Sequence, residues 1–161
     1  MKVRSPAHAN CVVCSSLNEH GLGLSFKSLP DGSVEATFDC NQAFEGYRNV
    51  LHGGITSTLL DGAMTNCMFA HGIHAVTAEL NIRFLHPVAC CLSVTVRAWI
   101  TRSSSKLHLL KAEISQNDQI MATATGKFVR IEEQPDPDST GVETATTSKK
   151  VSPGLSVLRS S

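Results

Sequence analysis

Residues 53–72 read GGITSTLLDGAMTNCMFAHG, and the reading of this stretch decides the fold. Set about 100° apart, Ile55, Leu59, Leu60, Ala63 and Cys67 gather on one side, and Gly54, Ser57, Thr58, Asp61 and Thr65 on the other. The spacing predicts a helix of about 17 residues that closes at Gly72. Outward from it the hydrophobic period changes to two, the signature of strands. Leu22, Leu24 and Phe26 alternate with polar residues; after the Pro30-Asp31-Gly32 turn, Val34, Ala36 and Phe38 do the same, which predicts a hairpin. Downstream, Val76, Ala78, Leu80, Ile82 and Phe84 alternate with Thr77, Glu79, Asn81 and Arg83, and His86-Pro87 ends that run. Three further strands are expected at 92–101, 107–115 and about 120–130. The order is β-β-α-β-β-β-β, so one long helix has to be covered by a single antiparallel sheet curling around it, an α+β arrangement.

The composition bounds what such a domain can be. A chain of 161 residues is one ordinary domain and buries roughly 70% of the surface its unfolded form exposes. Its 14 basic and 14 acidic residues cancel, which argues against a polyanion-binding surface. No apolar run is long enough for a membrane span, and MKVRSPAHAN lacks the apolar stretch of a secretion signal; a soluble, cytoplasmic protein is expected. In that setting the six cysteines are read as reduced thiols. All aromatic residues precede position 129, and residues 132–148 carry five acidic residues and no basic one. The domain is therefore expected to end near Ile131, with 132–161 a disordered polar tail.

Two features of the helix suggest chemistry. Asp61 stands at its middle among Leu59, Leu60, Ala63 and Met64, where a carboxylate is costly unless it is paired or has a task. At the helix start, His52-Gly53-Gly54 places two residues without side chains where N–H groups and the positive end of the helix dipole are uncovered. A ligand oxygen gaining negative charge can approach there. A polarising terminus and a carboxylate able to act as base or nucleophile suit acyl transfer. Thr77, on the face of the next strand opposite its apolar residues, is in a position to orient a water beside the carboxylate. The two groups lie eight residues apart on one helix, about 12 Å by helical rise, which is too far for one acyl carbonyl. Two helices related by a two-fold axis and running antiparallel would bring Gly53 of one chain to Asp61 of the other.

The words GYRNVLHGGITSTLLDGAM (46–64) and TAELNIRFLHPV (77–88) together resemble the hotdog-fold thioesterases of the PaaI type, and NCVVCSSLNEHGLGLSF (10–26) is similar to the N-terminal signature of one branch. The resemblance covers about residues 10–130. It implies a hotdog fold, one long central helix wrapped by a curved antiparallel β-sheet. It also implies hydrolysis of acyl-CoA thioesters by a homodimer or dimer of dimers, with no metal or organic cofactor. Residue by residue, it makes Asp61 the general base or nucleophile, has the Gly53 N–H polarise the thioester carbonyl, and has His52 orient that group. Thr77 matches a water-holding hydroxyl. Gly54 and Asn49, beside the helix start, are assigned to the substrate. Arg102 and Lys106, in the turn after the second long strand, are assigned to the phosphates of coenzyme A. The sequence departs from the family at Gly46, where many members carry Asn, at Arg48-Asn49 in place of Pro-Gly, at Ser15 in place of Gly, and at Cys90 where a turn glycine is common.

His8, Cys11, Cys14 and His20 have zinc-like spacing, but a second C-x-x-C is absent, and packed thiols near the mouth of the site are expected instead of a metal. His71, His74, His86 and His108 show no ligand spacing and read as surface or structural residues. Two other functions fit the same fold: a non-catalytic acyl-CoA or aryl-ligand binding protein, and a hydratase acting on acyl thioesters. Asp61 argues against the first, because a binder gains nothing from a desolvated carboxylate beside a carbonyl. The second would call for an Asp/His pair poised at the acyl α and β carbons.

Overall fold

The helix predicted from the opening stretch forms over Gly53–Ala70 and is designated α1. Its buried face carries Leu59, Leu60, Ala63, Met64, Cys67 and Met68, each fully enclosed. Gly72, at φ +65°, takes the left-handed conformation that ends the helix. The structure is a computed structural model and describes residues 8–131; the expected tail lies outside the described residues.

The eight strands are β1 (Lys27–Ser28), β2 (Val34–Asp39), β3 (Glu45–Tyr47), β4 (Val50–Leu51), β5 (Ala75–Phe84), β6 (Ser93–Ser103), β7 (Leu107–Gln116) and β8 (Gln119–Arg130). Six of them form one antiparallel sheet in the order β1-β2-β6-β7-β8-β5, and α1 packs against β2, β5, β6, β7 and β8. The sheet wraps the helix as expected, giving the hotdog architecture. Val94, Val96 and Ala98 of β6 and Leu110, Ala112 and Ile114 of β7 line its inner face. Among the described residues no helix is long and apolar enough to cross a membrane.

Two local expectations are corrected. The alternation of Leu22, Leu24 and Phe26 does bury Leu24 and Phe26, but the strand of this hairpin begins only at Lys27. Gly23 sits at φ +64°, which breaks the extended path, and the amides of Leu22 and Leu24 bond to the carbonyls of Val12 and Val13 instead of to a sheet partner. The second correction is the small hairpin of β3 and β4, strands too short to show a hydrophobic period. Its turn holds Asn49 at φ +62°, a conformation asparagine tolerates better than most residues.

Candidate functional site

The start of α1 is set by His52, whose Nδ1 accepts a hydrogen bond from the Gly54 amide at 2.8 Å. With Nδ1 accepting, the ring proton sits on Nε2 in the neutral imidazole. A Cβ at Gly54 would come within 2.9 Å of Nδ1, and one at Gly46 within 3.0 Å of Cδ2, so both glycines are the space this ring occupies. The Gly54 amide is thereby already engaged. The Gly53 amide has no acceptor among the described residues, and a Cβ there would meet only the Phe84 ring, at an ordinary 3.6 Å. Gly53 is thus an uncovered donor at the helix terminus, with the exposed Phe84 ring beside it.

Asp61 lies two turns further along α1, and Thr77 Oγ1 donates to its Oδ1 at 2.8 Å. A strictly alternating β5 would turn Thr77 away from Leu80, and the sequence reading put it on the face opposite the apolar residues. The register shows why it is not there. Thr77 pairs with the buried Phe128, Glu79 with the exposed Lys127 and Leu80 with the buried Gly126, so Ala78 is an extra residue, a β-bulge. The bulge resets the period, and Thr77, Leu80 and Ile82 all face the helix. On the outer face Glu79 pairs with Lys127 at 2.7 Å, a bond that holds the Glu79 carboxyl below the usual range.

Asp61 opens into a cavity of about 380 Å³ lined by Ser57, Thr58, Thr65, Asn66 and Leu80 on the helix and β5 side, and by His8 and Cys11 of the N-terminal segment. Ser57 and Thr58 turn their hydroxyls back to the carbonyls of Gly53 and Gly54, at 2.8 and 2.9 Å. Sequence reasoning did not single out Ser57, Thr58, Leu80 or Phe84. The i, i+4 spacing of Gly53 and Gly54 to Ser57 and Thr58 was the available signal for two of them.

The remaining residues assigned from sequence fall elsewhere. Asn49 spends its amide on Glu45 Oε2 at 3.0 Å and its carbonyl on Cys90, stabilising the β3–β4 turn. Arg102 is within β6, paired with Leu109, and not in the turn. Lys106 is in the β6–β7 turn and lines a second cavity of about 580 Å³ with Gly72, His74 and Arg130, at the C-terminal end of α1. In the N-terminal segment, His8, Cys11 and Cys14 are brought together, and His20 stands outside the group. Burial, reinforced by His74, lowers the His8 pKa, and burial beside Cys11 pushes the Cys14 thiol up to about 11.

Comparison with known proteins bears on the fold that holds these residues. Residues 48–123 match the thioesterase superfamily. The acyl-coenzyme A thioesterase THEM4 of Bos taurus is 28% identical over 119 residues, covering 71% of this chain and 49% of the relative. The chain spans about half the length of the curated relatives it matches. Among solved structures, a thioesterase superfamily protein superposes with a TM-score of 0.70 at 24% identity, over 73% of this chain and 61% of its own. The PaaI protein of E. coli, from its phenylacetic acid degradation operon, superposes with a TM-score of 0.65 at 24% identity, over 69% of this chain and 81% of its own.

Proposed function

Starting from a hotdog domain whose residues 48–123 match the thioesterase superfamily, we propose that the protein hydrolyses acyl-CoA thioesters to the free acid and coenzyme A in a cytoplasmic setting. The observation that carries this reading is Asp61 itself, a carboxylate held by a hydroxyl at the wall of a cavity, on a helix whose first amide is uncovered. In the reaction the thioester oxygen accepts from the Gly53 N–H as negative charge develops on it. Asp61 takes a proton from the attacking water, the new C–O bond forms as the C–S bond breaks, and the sulfur leaves as the thiol with that proton. Thr77, already donating to Asp61, has lone pairs left to accept from the water. His52 fixes the geometry of the helix start.

A second part of the proposal is that two copies build the site. β5 is the long edge strand of the sheet, opposite the two-residue β1, with Val76 and Phe84 half exposed. A bare apolar edge is a template for another strand. Pairing β5 with β5 of a second copy about a two-fold axis runs the two helices antiparallel beside one another. Gly53 of one chain then approaches Asp61 of the other, which the separation of about 12 Å along one helix forbids within a chain. Two such dimers back to back are a further assembly of the same kind. The phosphates of coenzyme A are assigned to Lys106 and Arg102, supported by their exposure at the hairpin end of β6 and β7.

The deciding experiment is a hydrolysis screen over short, medium, long and aryl acyl-CoAs, following release of free thiol. Turnover of at least one class by the parent, and its loss in Asp61→Asn, is the expected result. A parent inactive on every class, yet binding acyl-CoA, would replace the enzyme by the binding protein.

A further inference from the structure

The N-terminal segment contains chemistry that thioester hydrolysis does not use. Residues 8–15 wind through two backbone turns, in which the Cys11 amide donates to the His8 carbonyl at 3.2 Å and the Ser15 amide to the Cys11 carbonyl at 3.0 Å. This brings side chains three residues apart to one side. The ligand atoms of His8, Cys11 and Cys14 all lie within 4.8 Å of one another, with His8 Nδ1 3.7 Å from Cys14 Sγ. A tetrahedral zinc ion with Zn–S of about 2.3 Å and Zn–N of about 2.0–2.1 Å holds its sulfur and nitrogen ligands about 3.6 Å apart. We propose that His8, Cys11 and Cys14 form a three-ligand site for a single Zn2+ ion.

Three observations support the assignment beyond proximity. The Val13 amide donates to Cys11 Sγ at 3.3 Å, the kind of N–H to sulfur bond that orients a ligating thiolate. The segment is anchored before any metal arrives. Leu22 and Leu24 bond to the carbonyls of Val12 and Val13, and Val13 seats against Gly62 so closely that a Cβ there would lie 2.5 Å from its Cγ1. The His8 ring is also fixed, edge-on to Phe69 at 4.6 Å between centroids. The charges balance as well: two thiolates and a neutral imidazole cancel the ion's two positive charges, and binding releases two protons. Weighed as a sequence, the motif lacked a second C-x-x-C; in the structure the imidazole takes one of the missing places, and His20 is not needed. With three protein ligands, the fourth position is left to water or another small ligand. Because His8 and Cys11 also line the cavity that holds Asp61, the ion would stiffen that wall of the cavity.

The test uses the full chain, fully reduced, loaded with Zn2+ and dialysed, with metal counted by mass spectrometry of the elements. We expect a single Zn2+ per chain, lost from Cys11→Ser and Cys14→Ser and kept by Cys91→Ser, whose thiol is exposed and outside the group. Should the serine variants fold poorly, Co2+ loaded into the parent gives an independent reading: intense sulfur-to-cobalt absorption and tetrahedral d–d bands are expected. Parent protein that takes up no metal, metal retained undiminished by Cys11→Ser and Cys14→Ser together, or Co2+ spectra lacking sulfur bands would each overturn the site. So would a Cys11–Cys14 disulfide in the freshly isolated, metal-free parent that no Zn2+ supplementation during expression prevents.

Discussion

The Thr77 hydroxyl reaches Asp61 across the gap between β5 and α1, at 2.8 Å, only because Ala78 is an extra residue in the strand. A carboxylate fixed by a neutral donor keeps a second oxygen for a water, which is what a general base requires. Asp61→Asn keeps the acceptor for Thr77 and therefore the local packing, but an amide oxygen neither takes the proton nor attacks carbon. Turnover should fall by on the order of 10² or more with the melting temperature nearly unchanged. Thr77→Ala should cost less, since a water can replace part of the hydroxyl's role. Steady-state kinetics with thermal melts on both variants checks this; Asp61→Asn turning over at the parental rate would remove Asp61 from the mechanism.

The shared site makes a prediction that no single-chain site makes. A Cβ at Gly53 meets only the exposed Phe84 ring, at 3.6 Å, so Gly53→Val presses on that ring and not on the core, yet its side chain would crowd a carbonyl approaching the amide. Both Asp61→Asn and Gly53→Val homodimers should be nearly inactive. After the two are dissociated, mixed and reassembled, a heterodimer carries one intact site of two, and activity should return in proportion to the heterodimer fraction measured by native mass spectrometry. Heterodimers present without recovered activity would place both groups in one chain.

The helix and the long strands were legible because each has one buried face, and burial writes its period into the sequence: Leu59, Leu60, Ala63 and Cys67 at helical spacing, Val94, Val96 and Ala98 at strand spacing. Asp61 stood out for the converse reason, a charge within such a pattern. What stayed hidden was set by single residues that interrupt a period without altering its composition. Ala78 falls on the apolar step of the alternation between Val76 and Leu80, so the bulge that turns Thr77 inward left no mark. Gly23 interrupts the first strand by its φ alone. The gathering of His8, Cys11 and Cys14 was visible as spacing, but the exclusion of His20 depends on how the chain turns at Asn18 to Gly21, where backbone bonds decide.

Close packing of β8 against the helix gives a stability prediction. A Cβ at Gly126 would lie 2.6 Å from Met64 Sδ and 2.8 Å from Phe128 Cε2. The thioether end can swing aside; the ring, fully buried and opposite Thr77, cannot without disturbing β5. Gly126→Ala should therefore destabilise by about 1–3 kcal/mol, typical of an overpacked core. Denaturant unfolding of the two proteins measures it, and an unchanged midpoint would show that Phe128 has space to move.

His108 gives the fold a pH dependence of its own. The residue is buried on the inner face of β7, its Nδ1 shares a hydrogen bond with Ser103 Oγ at 2.8 Å, and its Nε2 has no partner among the described residues. Protonation would put an N–H and a charge where no acceptor waits, so burial, with Arg130 adding repulsion, lowers its pKa from the ordinary 6.5. The unfolded chain binds this proton more readily than the native one. Stability is therefore fully present above about pH 6.5 and declines as the pH falls below it towards the native pKa. His108→Leu removes both the titration and an unpartnered polar atom, while water can satisfy the exposed Ser103; at pH 8 the variant should be close to the parent in stability. Because His8 is shifted in the same direction, the informative quantity is the difference between the two proteins from pH 8 to pH 5. That difference should grow in favour of His108→Leu as the pH falls, and parallel curves would show that His108 is as free to protonate in the folded chain as in the unfolded one.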